Sequence, residues 1–480
     1  MASEDRGDNN LTPQRSEEPP DCLTQDSRPT TSVIAEFVQN TKYADLDESV
    51  KMTVKNLILD YIGVACAAVD KAESTEPVYR AISCLQASDG RNTVFKKGQK
   101  FLPQYAALLN GFLAHSLDFD DTYAEGVLHA GVTAITAGLV ASEVLGTRGD
   151  ALIEAVAIGY EVTCRIGRAL GHGAYSRGFH NTSTAGIFGA VATISKVKGL
   201  STSLIEMAFG LAGSKPAGSM QYLENGSWNK RLHPGFAVHD AWLCVSLAES
   251  GVIGAEKIFE GKFGFFNAYT PNKINYEELL DTLGSEWVFL KTIWKPFPAC
   301  RMTHGLIEVV DEIRRKFSSS SSAKEVKHIH VRLPSYQYPI VGLPTPNKVH
   351  PLNIVDAQFS AYYQIALSWL HGGYIGWAGY DYLRDSSIHK LAECIHIMDD
   401  PGLDRLEQYI TLEFTDGTVV TKHIKPKDDG GAGDSSREKI AAKYLGLAGP
   451  VFGEEAARKI QNIVYTLERY HVSELMALVQ

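Results

Sequence analysis

The feature that most constrains the fold of this chain is a succession of apolar stretches with helical spacing between residues 31 and 270. Within 32–40 and 46–69, apolar residues recur at intervals of three and four, which is the period of an amphipathic helix. Further stretches of this kind, rich in alanine and glycine, occupy 103–117, 130–146, 149–170, 183–198 and 236–250. The pattern predicts an all-α core. The run from 184 to 194 is shorter than the ~20 residues that a bilayer needs, so we expect closely packed small-residue helices and no membrane partner.

The pattern changes near residue 290. Apolar and polar residues alternate in 325–333, and two further alternating runs in 409–424 are joined by Asp416-Gly417, a strong hairpin signal. Between them, 354–371 and 386–398 have helical spacing. The second part of the chain is therefore predicted to be a smaller α+β unit.

These changes divide the chain into four parts. Residues 1–30 mix charge, proline and serine with few large apolar residues, so we expect a disordered tail. Residues 31–290 form the first part of the helical domain, and 291–428 form the α+β domain. Residues 429–480 comprise a glycine-rich linker and helices that return to the helical domain.

Charge and cysteine usage narrow the choice of partners. The 480 residues carry a formal net charge of −10, which opposes binding to nucleic acid, so an anionic ligand needs a local cluster of cations.

Seven scattered cysteines without a CxxC motif favour a reducing compartment. The tail lacks an apolar signal segment, and we expect a cytoplasmic protein, with an organelle as the alternative.

The densest group of reactive side chains follows an apolar helix. It contains His115, Asp118, Asp120, Asp121, Thr122 and His129. Helix capping would explain any one of these residues, whereas the whole group favours a functional site. A metal centre is an alternative, but the chain has neither an HExxH motif nor a second His-Asp pair at helical spacing, so we expect no metal.

Three further segments carry basic or titratable groups. The first segment contains His180, and the second contains Lys230, Arg231, His233 and His239. The third contains Lys295, Cys300, Arg301 and His304. Lys295 lies among aromatic and proline residues, where burying an ammonium group is costly without an anionic partner. For Cys300 a packing role is favoured over a nucleophilic one. No phosphate-binding glycine motif follows a predicted strand, so no nucleotide cofactor is expected.

In this order, the four segments resemble the MmgE/PrpD family, which contains 2-methylcitrate dehydratases and cis-aconitate decarboxylases. The resemblance extends from about residue 31 to 478, and its most specific pieces are HSLDFDDT, KRLHPG, KPFPACRMTHG and LEFTDGT. It implies a mainly α fold in which a large helical domain made from both chain ends carries a smaller inserted α+β lid domain. It also implies a homodimer and, for the decarboxylases, no cofactor.

The resemblance also implies site residues. His129, Asp118, Lys230 and Tyr338 correspond to catalytic positions, with His129 as the proton donor. Thr122, His180 and Lys295 correspond to substrate-binding positions, and the two lysines with His180 would form a positive pocket. The chain departs from the family pattern in having Ala130 where proline is common, and in a loop that is one residue longer than in the animal decarboxylases.

The expected function is a cofactor-independent lyase that acts on an aconitate- or alkylcitrate-type di- or tricarboxylic acid. Decarboxylation is preferred because every residue type of the decarboxylase pattern is present. The alternatives are a 2-methylcitrate dehydratase, an epimerase that uses the same proton abstraction, a non-catalytic carboxylate-binding homologue and a metal-dependent hydrolase.

Overall fold

The computed structural model describes residues 28–86, 88–271, 273–318, 325–425 and 431–480. Nearly all of the predicted disordered tail lies outside the described residues, and so does the start of the predicted linker.

Helices dominate the described chain, as the sequence predicts. The helices up to residue 280 are α1 Thr30–Asn40, α2 Glu48–Lys71, α3 Thr75–Leu85, α4 Pro103–His115, α5 Gly131–Leu145, α6 Gly149–Ser176, α7 Asn181–Thr184, α8 Gly186–Lys198, α9 Thr202–Ala212, α10 Asn229–Glu249, α11 Phe265–Tyr269 and α12 Tyr276–Leu280. The later ones are α13 His304–Ser318, α14 Pro346–Val349, α15 Ile354–Gln358, α16 Ala361–Leu370, α17 Ser386–Glu393, α18 Arg437–Phe452, α19 Glu454–Tyr465 and α20 Val472–Val479. The strands are β1 Asn92–Val94, β2 Lys97–Phe101, β3 Val326–Leu333, β4 Ile395–Asp399, β5 Gln408–Phe414 and β6 Val419–Ile424.

The buried apolar side chains form two main clusters. The first runs from α1 to Phe289 and resumes at Ala432, so it joins the early helices to α18, α19 and α20. The second contains the four-stranded sheet and helices α13, α16 and α17, together with Met220 and Tyr222 from the first part of the chain. Both chain ends therefore share one core, and the intervening segment has another. The domain boundaries at 290 and 428 stay predictions.

The four-stranded sheet has the order β4-β3-β5-β6, with β3 and β4 parallel and the other pairs antiparallel. The predicted hairpin is confirmed: β5 and β6 are joined at Gly417, whose φ is 86°. The helix predicted over 386–398 is wrong at its end. It stops at Glu393, because Ile395 and Ile397 alternate with exposed residues and pair with β3 as strand β4.

The helical part is not purely α. Strands β1 and β2 form a small antiparallel hairpin, which the sequence analysis missed. Val94, Phe95 and Phe101 are fully buried, and Lys96 turns the chain with a left-handed φ of 52°. The run is too short to produce a clear period, since it has only a few apolar residues separated by lysines and glycine.

Helix α2 is long and apolar enough to cross a membrane by length and composition, but 89% of its apolar window is buried inside the protein. Helix α8, the short apolar run of the sequence analysis, is also buried, and it packs on α6 through facing glycines. A Cβ atom at Gly189 would lie 1.8 Å from Thr163 Oγ1 and 2.6 Å from the carbonyl oxygen of Gly159. The two helix backbones therefore approach too closely for any side chain at this point.

We expect Gly189→Ala to destabilise the protein by about 1–3 kcal/mol, because the added methyl group forces α6 and α8 apart. The matched control is Gly446→Ala on α18, where a Cβ atom meets nothing within 4 Å and alanine is the better helix former. Thermal unfolding of the two variants checks this expectation. Equal midpoints for both would contradict the close packing of α6 on α8.

Candidate active site

A cavity with an empty volume of about 600 Å³ lies where the end of α4, the start of α10 and the second core cluster meet. Six of the seven predicted site residues line it: Asp118, Thr122, His129, His180, Lys230 and Lys295. Residues separated by more than 170 positions therefore meet in one place.

A carboxylate shared by two lysines forms the base of the cavity. The Asp118 carboxylate accepts a hydrogen bond from Lys230 Nζ. It also forms an ion pair with Lys295 Nζ at 3.1 Å, and Lys295 Nζ donates a hydrogen bond to the Asp118 carbonyl oxygen at 2.8 Å. All three side chains are buried. Burial favours a raised pKa for Asp118, but the two ammonium groups hold it well below its usual value. Asp118 is therefore an anion that neutralises only one of two buried cations.

Further cations line the same cavity. Arg301 and Arg405 contribute guanidinium groups, and the ring of Phe359 lies 5.0 Å from Lys230 Nζ in a cation–π contact. Asp118 is the one carboxylate among the lining residues. The cavity thus carries an excess of positive charge in a protein whose formal net charge is −10, and this is the local exception that an anionic ligand needs.

His129 presents one ring nitrogen to the cavity. Its Nδ1 lies 2.7 Å from the Asp121 carbonyl oxygen and 3.1 Å from Asp120 Oδ2, while its backbone N–H donates to Thr182 Oγ1. These contacts use Nδ1 and leave Nε2 for a ligand. Burial lowers the pKa of His129, and the Asp120 carboxylate opposes that shift.

The His180 side chain belongs to a buried row of histidines. Its Nδ1 lies 3.0 Å from His233 Nδ1, and its ring is stacked on that of His115 at 5.6 Å. Burial, with neighbouring His233, lowers the pKa of His180 well below its usual value, and burial lowers that of His233 to about 3. This shift favours a neutral His180 ring near neutral pH, in contrast to the positive charge expected of it in the sequence analysis.

A metal ion has a geometric basis here, but the surrounding charges oppose it. The ligand atoms of His115, His129 and His180 lie within 4.8 Å of one another, and so do those of Asp118, Asp120 and His129. Asp118 is already paired with two ammonium groups, which would repel a divalent cation. The residues fit an anion better than a cation.

Thr122 and the lid tyrosine complete the predicted set. The Thr122 hydroxyl is buried and has no hydrogen-bond partner among the described residues, so it is free for a ligand. Tyr338 does not line the cavity, whereas Tyr336 does. After Pro334 the chain turns in a helical manner, with the amides of Gln337 and Tyr338 both donating to its carbonyl oxygen. Residues two apart therefore point in nearly opposite directions.

Sequence reasoning also missed residues that surround or support the cavity. Arg405 and Leu406 come from the turn before β5, where the only signal is an arginine after a Pro-Gly pair. The Lys443 side chain on α18 is 6% exposed, forms an ion pair with Asp60 at 2.7 Å and donates to the Phe119 carbonyl oxygen at 2.7 Å. The C-terminal helices therefore hold the loop that contains Asp118.

The backbone of the cavity wall is locally strained. Three of its lining residues, Asp118, Val127 and Leu406, have left-handed φ angles of 49°, 51° and 62°. Such angles cost a residue with a side chain about 1–3 kcal/mol, so the surrounding structure must impose them.

Comparison with known proteins identifies the family of this chain. The model of the MmgE/PrpD N-terminal domain matches residues 32–277, and that of the MmgE/PrpD C-terminal domain matches residues 297–469. The chain is 28% identical to the cis-aconitate decarboxylase-like protein oryM of Aspergillus oryzae, covering 95% of this chain and 98% of that protein. It is 27% identical to a cis-aconitate decarboxylase of Aspergillus terreus (93% and 95% covered) and 25% identical to that of Mus musculus (91% and 90% covered). With both domain models matched over most of its length, the chain belongs to the MmgE/PrpD family.

Proposed function

We propose that the chain is a cofactor-independent lyase that decarboxylates an aconitate-type tricarboxylic acid. One observation carries the proposal: Lys230 and Lys295 converge on Asp118 in a cavity that also holds His129. The relatives named cis-aconitate decarboxylase support the choice of substrate. Dehydration of an alkylcitrate is the second candidate, favoured by the family's other known members.

The cations of the cavity account for substrate binding. The carboxylates of the substrate bind the ammonium groups of Lys230 and Lys295, which keep Asp118 as their internal counter-ion. Arg301 and Arg405 are placed to bind a further carboxylate, and the Thr122 hydroxyl donates a hydrogen bond. A trianionic substrate matches the excess of positive charge among the residues that line the cavity.

The reaction needs a stabilised carbanion and one proton. When CO₂ leaves cis-aconitate, the bond between the methylene carbon and its carboxylate breaks, and the electron pair forms a new double bond to that carbon. The pair of the original double bond becomes a carbanion beside another carboxylate. The lysine ammonium groups stabilise this charge, because they are fixed in a buried site. A proton then adds to the carbanion.

His129 is the proposed proton donor. With Nδ1 held by the Asp121 carbonyl oxygen and Asp120, the proton leaves from Nε2. The negative charges of a bound substrate raise the pKa of the imidazole and so favour the charged donor. In the dehydratase alternative, the same residue would protonate the departing hydroxide.

Purified protein is expected to release CO₂ from cis-aconitate, and His129→Ala to lower kcat by about 10²–10⁴-fold. The control is His371→Ala, a partly exposed lid histidine stacked on Tyr382. Carbon dioxide and the unsaturated product are followed separately, with 2-methylcitrate as a parallel substrate. Loss of water from 2-methylcitrate without CO₂ release from cis-aconitate would favour the dehydratase, and turnover of neither would contradict both candidates.

The decarboxylase proposal also fixes a pH dependence. Since the donor must be protonated, kcat/KM is expected to fall as the pH rises through the pKa of His129. The Asp120 carboxylate raises that pKa, so Asp120→Asn is expected to move the falling limb to lower pH. Profiles of kcat/KM against pH for both proteins measure the shift. An unmoved limb would show that a different group supplies the proton.

We also propose that the protein is a homodimer that uses the outer face of α10. Phe236 and Leu243, seven positions apart on this helix, are 47% and 41% exposed. Two-fold contacts that pair such a face with its own copy are the commonest form of oligomer. We expect a dimer by analytical ultracentrifugation and a monomer after Leu243→Glu, with Leu85→Glu on α3 as the control. A monomeric parent protein, or a dimeric Leu243→Glu variant, would contradict this interface.

A further inference from the structure

Three histidines lie side by side on the outer face of the lid sheet, away from the catalytic cavity. His328 and His330 alternate along β3 with Ile329 and Val331, which are fully buried on the other face. His396 on β4 is the register partner of His330 in the parallel pair. The sheet therefore brings three imidazoles to one patch on its solvent side.

The spacing of the rings matches that of imidazoles around one metal ion. The ring centroids are 5.2 Å apart for His330 and His396, 5.5 Å for His328 and His396, and 6.1 Å for His328 and His330. In a tetrahedral zinc site the Zn–N distance is about 2.0–2.1 Å, which places two ring centroids about 5 Å apart. The proposed site therefore requires these side chains to rotate until three nitrogens face a common point.

Neighbouring groups favour a cation at this patch. Glu413 on β5 has Oε1 3.7 Å from His330 Nε2, within reach of a fourth ligand position. His328 Nδ1 is buried and has no hydrogen-bond partner among the described residues. The nearby Arg332 is paired with Asp400 and lies over the Tyr409 ring, so its charge is already compensated.

We propose that His328, His330 and His396 bind a divalent transition-metal ion of the zinc class, with Glu413 as the fourth ligand. Imidazole nitrogens are the preferred ligands of such ions. Among the described strands, β4 lies at the edge of the sheet and pairs with β3 alone. A bound ion would therefore hold it to the sheet by side chains as well as by backbone hydrogen bonds. The ion has a structural role and takes no part in the chemistry of the cavity.

The test is a zinc titration of the full-length protein against a chromogenic chelator. We expect the parent protein to bind one equivalent that the double variant His330→Gln/His396→Gln binds at least about 100-fold more weakly. Zinc should raise the thermal midpoint of the parent protein only. Because these side chains lie on the outer face, the double variant is expected to keep its circular dichroism spectrum and its turnover in the presence of chelator.

Two control variants locate the bound equivalent. His423→Gln lies on the same face, but its ring is stacked on Tyr409 and paired with Glu407, and this variant should retain the zinc. His129→Ala, which alters the buried histidines of the cavity, should also retain it. No bound equivalent in the parent protein, undiminished binding by the double variant, or loss of the equivalent in His129→Ala would overturn the proposal.

Discussion

The arrangement of the cavity depends on one buried carboxylate that serves two buried ammonium groups. Asp118 pairs with both Lys230 and Lys295 and balances one of their two charges. An unbalanced charge is costly in a protein interior, and Asp118 is the one carboxylate among the residues that line the cavity. The excess of positive charge among the lining residues therefore favours an anionic ligand.

Holding that imbalance in place requires contributions from distant parts of the chain. Asp118 follows α4, Lys230 lies in the first turn of α10, and Lys295 lies in the segment that leads to α13. The loop between α4 and α5 is held from behind by Lys443 of α18, which pairs with Asp60 of α2. The helical core thus fixes the positions of the charges, while the segment inserted between its two halves supplies Tyr336, Arg405 and Leu406.

The sequence patterns predicted the features that are determined by residues close together along the chain. Helical spacing, the Asp416-Gly417 turn and the crowding of titratable residues around 118 are all visible along the chain, and six of the seven residues derived from the resemblance line one cavity. Features set by three-dimensional context were missed. The helical turn after Pro334 brings Tyr336 rather than Tyr338 to the wall, and burial beside His233 lowers the pKa of His180, which favours its neutral form. The disordered tail and the cytoplasmic location stay predictions.

The sharing of one core by both chain ends has a consequence for biosynthesis. Helix α2, the most membrane-like helix by composition, packs against α18, which is made about 370 residues later. At 5–20 residues per second, roughly 20–70 s separate the two on the ribosome. During that interval α2 packs without the cover that α18 gives it in the folded protein, and apolar surface left open in this way promotes aggregation.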